Sequence, residues 1–371
     1  MKKSVKTIPG ILAAAGIITS MFSLPASAVT YVDDLGRTIN LPSTIDSWAP
    51  SGILAQLALY SVDPDLLAGW AQAPSVAQQS YIDSAYWSLP VFGQIYGTAS
   101  TPSGYDETAV VNSGADVIID IGQVKGTVQD MADDFDDLQD STGIPVVFIN
   151  ADDIDEYAHI YAELGEILGS TAITGDLEDY CEDVINYIDT QSGTIPSIVS
   201  NARTVYYGEG STGLLTNGTT GSGAIHQNIL PFIGAVNVAN INSPSGSGRT
   251  PVDIEDVQGW DPDIIIFGPG SYYDSVATDT DWEDIAAVED DHYAEVPDAL
   301  YNWIDRPPSI NRILGAQWLA HIIFPEYYSD FDTYTEFRSV VIDFYDLFYH
   351  YSMTTTEADA ILANAEFGDP Y

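Results

Sequence analysis

The chain has one cysteine, Cys181, in 371 residues. No disulfide can close within it, and a zinc or iron site of the His/Cys type lacks its cysteine framework. Positive charge is nearly as scarce: ten Lys plus Arg face 55 Asp plus Glu. That balance excludes a nucleic-acid binder, which needs a basic surface to displace counterions, and it opposes docking to anionic lipid. The five histidines, His159, His226, His292, His321 and His350, show no metal-ligand spacing. No acidic run has the glycine-bearing alternation of an EF-hand loop. G-x-S-x-G and a Walker loop are missing, and nothing pairs a nucleophile with a base. We therefore expect no enzyme, no cofactor and no resident metal.

The first 28 residues read as a secretory leader: a basic "MKKSVK", an apolar "IPGILAAAGIITSMFSL" and a small-x-small site ending at Ala28. No cysteine stands at that site, so a lipid anchor is not expected. The product would be secreted, periplasmic or at the cell surface. Beyond Ala28 only seven cations remain against 55 acids, a formal charge of −48. So dense a carboxylate surface suits a protein that must stay soluble in a salty or acidic habitat.

What is present is an α/β pattern that occurs twice. "ETAVVNSGADVIIDIG" (107–122) and "IEDVQGWDPDIIIFGPG" (254–270) each open with a short acidic helix. Each continues into an apolar run, Val117–Ile119 or Ile264–Phe267, and ends on glycine. Short apolar runs bounded by glycine suit strands buried on both faces of a parallel sheet, and ligand-facing loops begin at the carboxyl ends of such strands. "IPVVFIN" (144–150) and "TVYYGEG" (204–210) read as further strands. Residues 154–169 and 174–191 carry apolar residues at helical spacing. The Gly/Thr/Ser-rich stretches 210–227 and 242–251 read as loops. The tail reads as two helices, with Thr356 a candidate N-cap. The expected layout is a leader (1–28), an N-terminal α/β lobe (29–170), a connecting helix (171–201) and a C-terminal α/β lobe with terminal helices (202–371).

Two of the seven cations, Arg306 and Arg312, lie within "NWIDRPPSINR" (302–312). The following residues predict a helix from about Ser309 to Ile323, with Ser309 as N-cap and a buried stripe through Ile310, Ile313, Leu314 and Ile322. Cations belong at a helix C-terminus, where each is worth ~0.3–1 kcal/mol. Two arginines at the start therefore call for negative charge, either a bound anion or neighbouring carboxylates such as Asp305. Lys125, after a strand-end glycine, and Arg249, closing a glycine-rich loop, are placed comparably. Trp48, Gln94, Tyr96, Tyr207 and Trp303 stand at similar loops, and several such residues at strand ends in two lobes make a candidate cleft lining.

Taken in order, "YVDDLGRTINLP" (31–42), "LALYSVDPDLLAGW" (57–70), the two repeated segments, "FIGAVNVAN" (232–240) and "NRILGAQWLAHIIFPEYY" (311–328) resemble the solute-binding proteins of ABC importers for iron-siderophore, haem and cobalamin complexes. The likeness covers nearly all of the chain beyond the leader. It implies a class III solute-binding protein: two Rossmann-like lobes joined by a long α-helix, with ligand in the cleft between them and a stiff hinge. It implies a monomer that hands its ligand to an ABC permease with its ATPase, docking through surface carboxylates, for which Glu107 and Glu255 are the candidates. The 302–320 segment is closer to a branch that includes binders of molybdate and tungstate. The ligand class thus stays open between a ferric chelate or corrinoid and a compact oxyanion. Alternatives outside transport are a surface adhesin or sensor, and a metallocluster-type enzyme on a related two-lobed fold.

Overall fold

In the computed structural model of the protein, residues 29–97, 102, 104–195, 203–221, 226, 228–243, 249–270, 272–328 and 334–368 are described. The leader lies outside them. The chain opens with an antiparallel hairpin of β1 (Val29–Val32) and β2 (Thr38–Leu41). Arg37 bonds back to Asp33 within its turn (2.6 Å) and reaches Asp136 (3.1 Å). There follow β3 (Trp48–Pro50), α1 (Ile53–Val62), α2 (Glu107–Ser113), β4 (Val117–Gly122), α3 (Val128–Thr142) and β5 (Val146–Asn150). The three strands form a parallel sheet in the order β3-β4-β5. Next come α4 (Tyr157–Leu168) and α5 (Thr174–Ser192).

The second half contains β6 (Thr204–Gly208), β7 (Leu215–Asn217), β8 (Thr220–Gly221), α6 (Ile229–Phe232), β9 (Val236–Asn237), β10 (Asn242–Ser243) and β11 (Arg249–Pro251). It continues through α7 (Ile254–Trp260), β12 (Ile264–Phe267), α8 (Tyr273–Val276), α9 (Ala286–Glu289) and β13 (Tyr293–Glu295). Its parallel sheet runs β13-β12-β6-β9. The tail holds α10 (Asn311–Ile323), α11 (Tyr334–Tyr349) and α12 (Thr355–Ile361). Among the described residues no helix is long and apolar enough to cross a membrane.

Alternation along the strands divides the core. In the first sheet Ile118, Val146 and Phe148 face outward against Phe135, Met131 and Leu138 of α3. Val117, Ile119, Val147 and Ile149 face inward with α1 and α4. In the second sheet Tyr206, Ile265 and Phe267 face outward onto Trp282, while Val205, Tyr207, Ile264 and Ile266 face inward. The two inward faces belong to one continuous core completed by α5, α10 and α11. The expectation of strands buried on both faces therefore holds at β4 and β12, and the period of two decides which core each residue joins.

Several local expectations are corrected. The stretch 210–227 holds β7 and β8, and 242–251 holds β10 and β11, which pair with β8 and β7. Helix α10 starts at Asn311 with Ile310 at its N-cap and no side-chain cap, and the Ser309 hydroxyl has no hydrogen-bond partner. In place of a stripe, α10 is buried nearly all round, as a helix in the middle of a shared core must be. Its Gly315 is tightly packed: a Cβ there would stand 2.0 Å from the carbonyl oxygen of Trp303. The cap of α12 is Thr354, which shares a capping box with Glu357, and not Thr356.

Candidate functional site

The carboxyl ends of β6 and β12 present a compact charged network. Glu209 follows β6 and is 4% exposed; Asp305 is fully buried. Glu209 Oε1 accepts from Arg249 Nε (2.9 Å) and Nη2 (2.6 Å), and its Oε2 accepts from Asn217 Nδ2 (3.1 Å). Asn217 also lies within 3.3 Å of Asp305 and accepts from Arg306 Nη2 at 2.6 Å. Arg306 Nε stands 3.1 Å from Asp305 and 3.6 Å from Glu209. It is close enough for charge attraction but not aligned for a hydrogen bond. His226 Nδ1 reaches Asp305 Oδ1 at 2.5 Å. Two buried carboxylates thus meet two arginines, and the anion that the helix start demanded is supplied in part by the protein itself.

The matching strand ends of the first lobe are built differently. Ser51, after β3, donates its hydroxyl to Asp120 of β4. Burial pushes the Asp120 carboxyl up to about 6, against the opposing pull of Ser51, Lys125 and Arg37. Burial pushes Lys125 down, opposed by Asp120 and Asp152. Gln94 lies half-buried beside Gly52, and Ile95 N–H donates to Ser51 O (2.9 Å).

Between the halves lies a cavity of about 540 Å³. One wall is Ile53 with the segment from Gln72 to Tyr81; the other runs from Asp298 to Asn302 and on to Arg306 and Pro307. Polar bridges cross it. Gln78 Nε2 donates to Leu300 O (2.7 Å) and Gln56 Nε2 to Tyr301 Oη (3.0 Å). Leu300 sits at φ +66°, a left-handed conformation that costs a side-chain-bearing residue ~1 kcal/mol and that the Gln78 bridge helps to hold. Burial, with help from Glu295, pushes Asp298 up to about 6.

Of the residues singled out from sequence, Arg306 alone lines this cavity. Arg249 joins it through Glu209. Arg312 is 2% exposed and bonds elsewhere, to Ile304 O (3.1 Å) and the Asn228 side chain. Trp48 and Trp303 are fully buried and Tyr207 is 1% exposed, so in this conformation they have no surface to offer a ligand. They pack in the shared core, Trp303 edge-on to Trp318. Tyr96 turns away to Asp134 (3.1 Å) and Phe135. Glu107 and Glu255 are exposed in the first turns of α2 and α7; Glu107 accepts from Ser141 Oγ (2.7 Å). Asp305, named from sequence as a possible counter-charge, does stand beside Arg306; the buried Asp120 and Glu209 were given no charge-balancing role, because only the folded sheet edges show which of 55 acidic residues are enclosed. Among the described residues no group of three or more His, Cys, Asp or Glu side chains is arranged to hold a metal ion.

No family model matches the chain, and no curated protein does. Solved structures do. An ABC transporter solute binding protein from Sulfurospirillum deleyianum superimposes with a TM-score of 0.77 at 25% identity, over 90% of this chain and 99% of its own. A periplasmic solute binding protein from Veillonella parvula gives 0.71 at 22% identity, over 91% and 98%. The molybdate periplasmic binding protein of a Haemophilus influenzae ABC transporter, with molybdate bound, gives 0.63 at 17% identity, over 88% and 99%.

Proposed function

The chain has the fold of the class III solute-binding proteins of ABC transporters, and from that premise we propose that it captures an anionic metal chelate of the ferric-siderophore type outside the cytoplasm and delivers it to an ABC permease. The supporting observation is the cleft between the halves. Its volume of about 540 Å³ falls in the range of small-molecule sites, and Arg306 stands on its wall. A chelate of that size offers carboxylate or catecholate oxygens to a guanidinium, and Gln78, Ser75 and Asn302 supply neutral polar contacts.

Charge favours a large ligand with diffuse charge over a bare oxyanion. Arg249 and Arg306 are already balanced by Glu209 and Asp305, so little uncompensated positive charge is left for a compact dianion. Molybdate is the second reading, on the strength of the molybdate-bound protein of the same fold. Delivery would use the exposed Glu107 and Glu255, one on the repeated helix of each half.

The test is a thermal-shift screen of the protein lacking residues 1–28, in high salt, against ferric siderophores, haem, cobalamin, molybdate and tungstate. A ligand at a hundred times its dissociation constant adds ~2.7 kcal/mol. We expect a shift with a ferric siderophore that Arg306→Ala abolishes. A shift with molybdate alone would give the second reading. No shift with any of them would remove the transport reading.

A further inference from the structure

Arg312 presents a physical problem. Its side chain is buried, yet among the described residues no carboxylate pairs with it directly, and a buried charge without a counter-ion is costly. Its hydrogen-bond acceptors are neutral and come from separate parts of the molecule. Nε donates to the carbonyl of Ile304, in the loop that carries Arg306 into the cleft (3.1 Å). Nη2 donates to Asn228 Oδ1, just ahead of α6. The guanidinium also lies near enough to the phenol of Tyr157, at the start of α4, to oppose the rise that burial gives its pKa.

The counter-ion is one residue further away. The other end of the Asn228 amide donates through Nδ2 to Asp153 Oδ1, in the turn leading into α4. A guanidinium and a carboxylate are therefore joined through an amide that serves both, and each hydrogen bond has one charged partner, which makes it stronger than a neutral one. Asp153 and Tyr157 follow the last strand of the first sheet; Asn228 and Ile304 belong to the second half. The relay crosses between them.

We propose that Arg312 is a positioning residue: with Asn228 and Asp153 it forms a strap that holds the Arg306-bearing cleft wall at a set distance from the first lobe. The inference rests on the cleft being the ligand site only for its use; the strap itself is tested without ligand. Cys181 is fully buried, so spin labels go selectively to cysteines introduced at two exposed sites, Val111 on α2 and Val236 on β9. In that double-cysteine background the pairwise distance distribution is measured by pulsed electron resonance for the parent, Asp153→Ala, Asn228→Ala and Arg312→Met. The Gln78 bridge across the cavity is intact in all of them.

The parent is expected to give one narrow distribution. Asp153→Ala removes the exposed end, with its capping-box bond to the Glu156 N–H, and leaves Arg312 with its neutral acceptors. It should lengthen and broaden the distance by more than the parent's own width. Asn228→Ala should do so further. If Arg312→Met does not fold, the other two variants still decide. Distributions for Asp153→Ala and Asn228→Ala that superimpose on the parent's would overturn the strap. A failure of every ligand to bind, with the distances changed as expected, would remove the transport reading and leave the strap standing.

Discussion

Each half places a buried carboxylate near the carboxyl end of a sheet strand, Asp120 on β4 and Glu209 after β6, and the two are treated in opposite ways. In the second, Glu209 is met by Arg249 at 2.6 Å and approached by Arg306. In the first, Asp120 is met by a serine hydroxyl, and Lys125, which favours its charged form, makes no ion pair with it among the described residues. A buried charge with a close partner stays charged; one without a close partner drifts toward neutrality. A buried carboxylate near a sheet edge has thus become part of an ion-pair cluster in one half and a proton-sensitive carboxyl in the other. Only the ion-paired side lies next to the cavity wall that carries Arg306.

The sharpest way to break this contrast is to make the second half resemble the first. Glu209→Gln leaves two arginines facing Asp305 alone, and disrupting such a buried cluster costs about 3 kcal/mol. A lower urea midpoint with an unchanged slope would show it. The next effect is smaller and opposite in sign. The folded-state value of Asp120, about 6, lies above its ordinary 3.8. The folded protein therefore binds this proton more tightly than the unfolded chain. The stability it contributes is complete below the ordinary value and is lost as pH rises through about 6. Asp120→Asn should raise stability by about 2 kcal/mol at pH 7 and change little at pH 4, read as the difference between two urea titrations. Asp298, also pushed up to about 6, remains in both proteins and cancels. The smallest effect belongs to Lys125→Met. It removes a cation that favours the Asp120 carboxylate, so the carboxyl carbon resonance of Asp120 should titrate above its parent midpoint, with stability changed by about 1 kcal/mol or less.

The same contrast shows how far sequence reading reaches. The apolar runs at 117–119 and 264–267 stood out because strands buried on both faces carry no polar residue to break the run. The helix over 174–191 stood out through Leu177, Cys181, Val184, Ile185 and Ile188; α5 buries all of these but Ile185, which is half-buried. Strands β7 and β8 did not, because Gly, Thr and Ser there look like a loop until partners 22 to 36 residues away pair with them. The α12 cap was legible in principle: Glu357 stands three residues after Thr354, not after Thr356. At the site the scarcity of cations pointed to Arg306, and Arg306 lines the cavity. Scarcity does not tell a guanidinium at a cavity wall from one sunk in a core, so Arg312 looked identical. Trp48, Trp303 and Tyr207 went astray for a related reason. An aromatic near a strand end can turn into the cleft or under the sheet, and only the alternation of the folded strand decides which.

Every arginine among the described residues is engaged: Arg37, Arg203, Arg249, Arg306 and Arg338 with carboxylates, and Arg312 with its strap. Lys125 is partly buried. For a protease that cleaves after basic residues, the folded molecule offers almost no free handle, and digestion must wait for local opening. In a degradative setting outside the cell, the scarcity of positive charge works as armour as well as a solubility device.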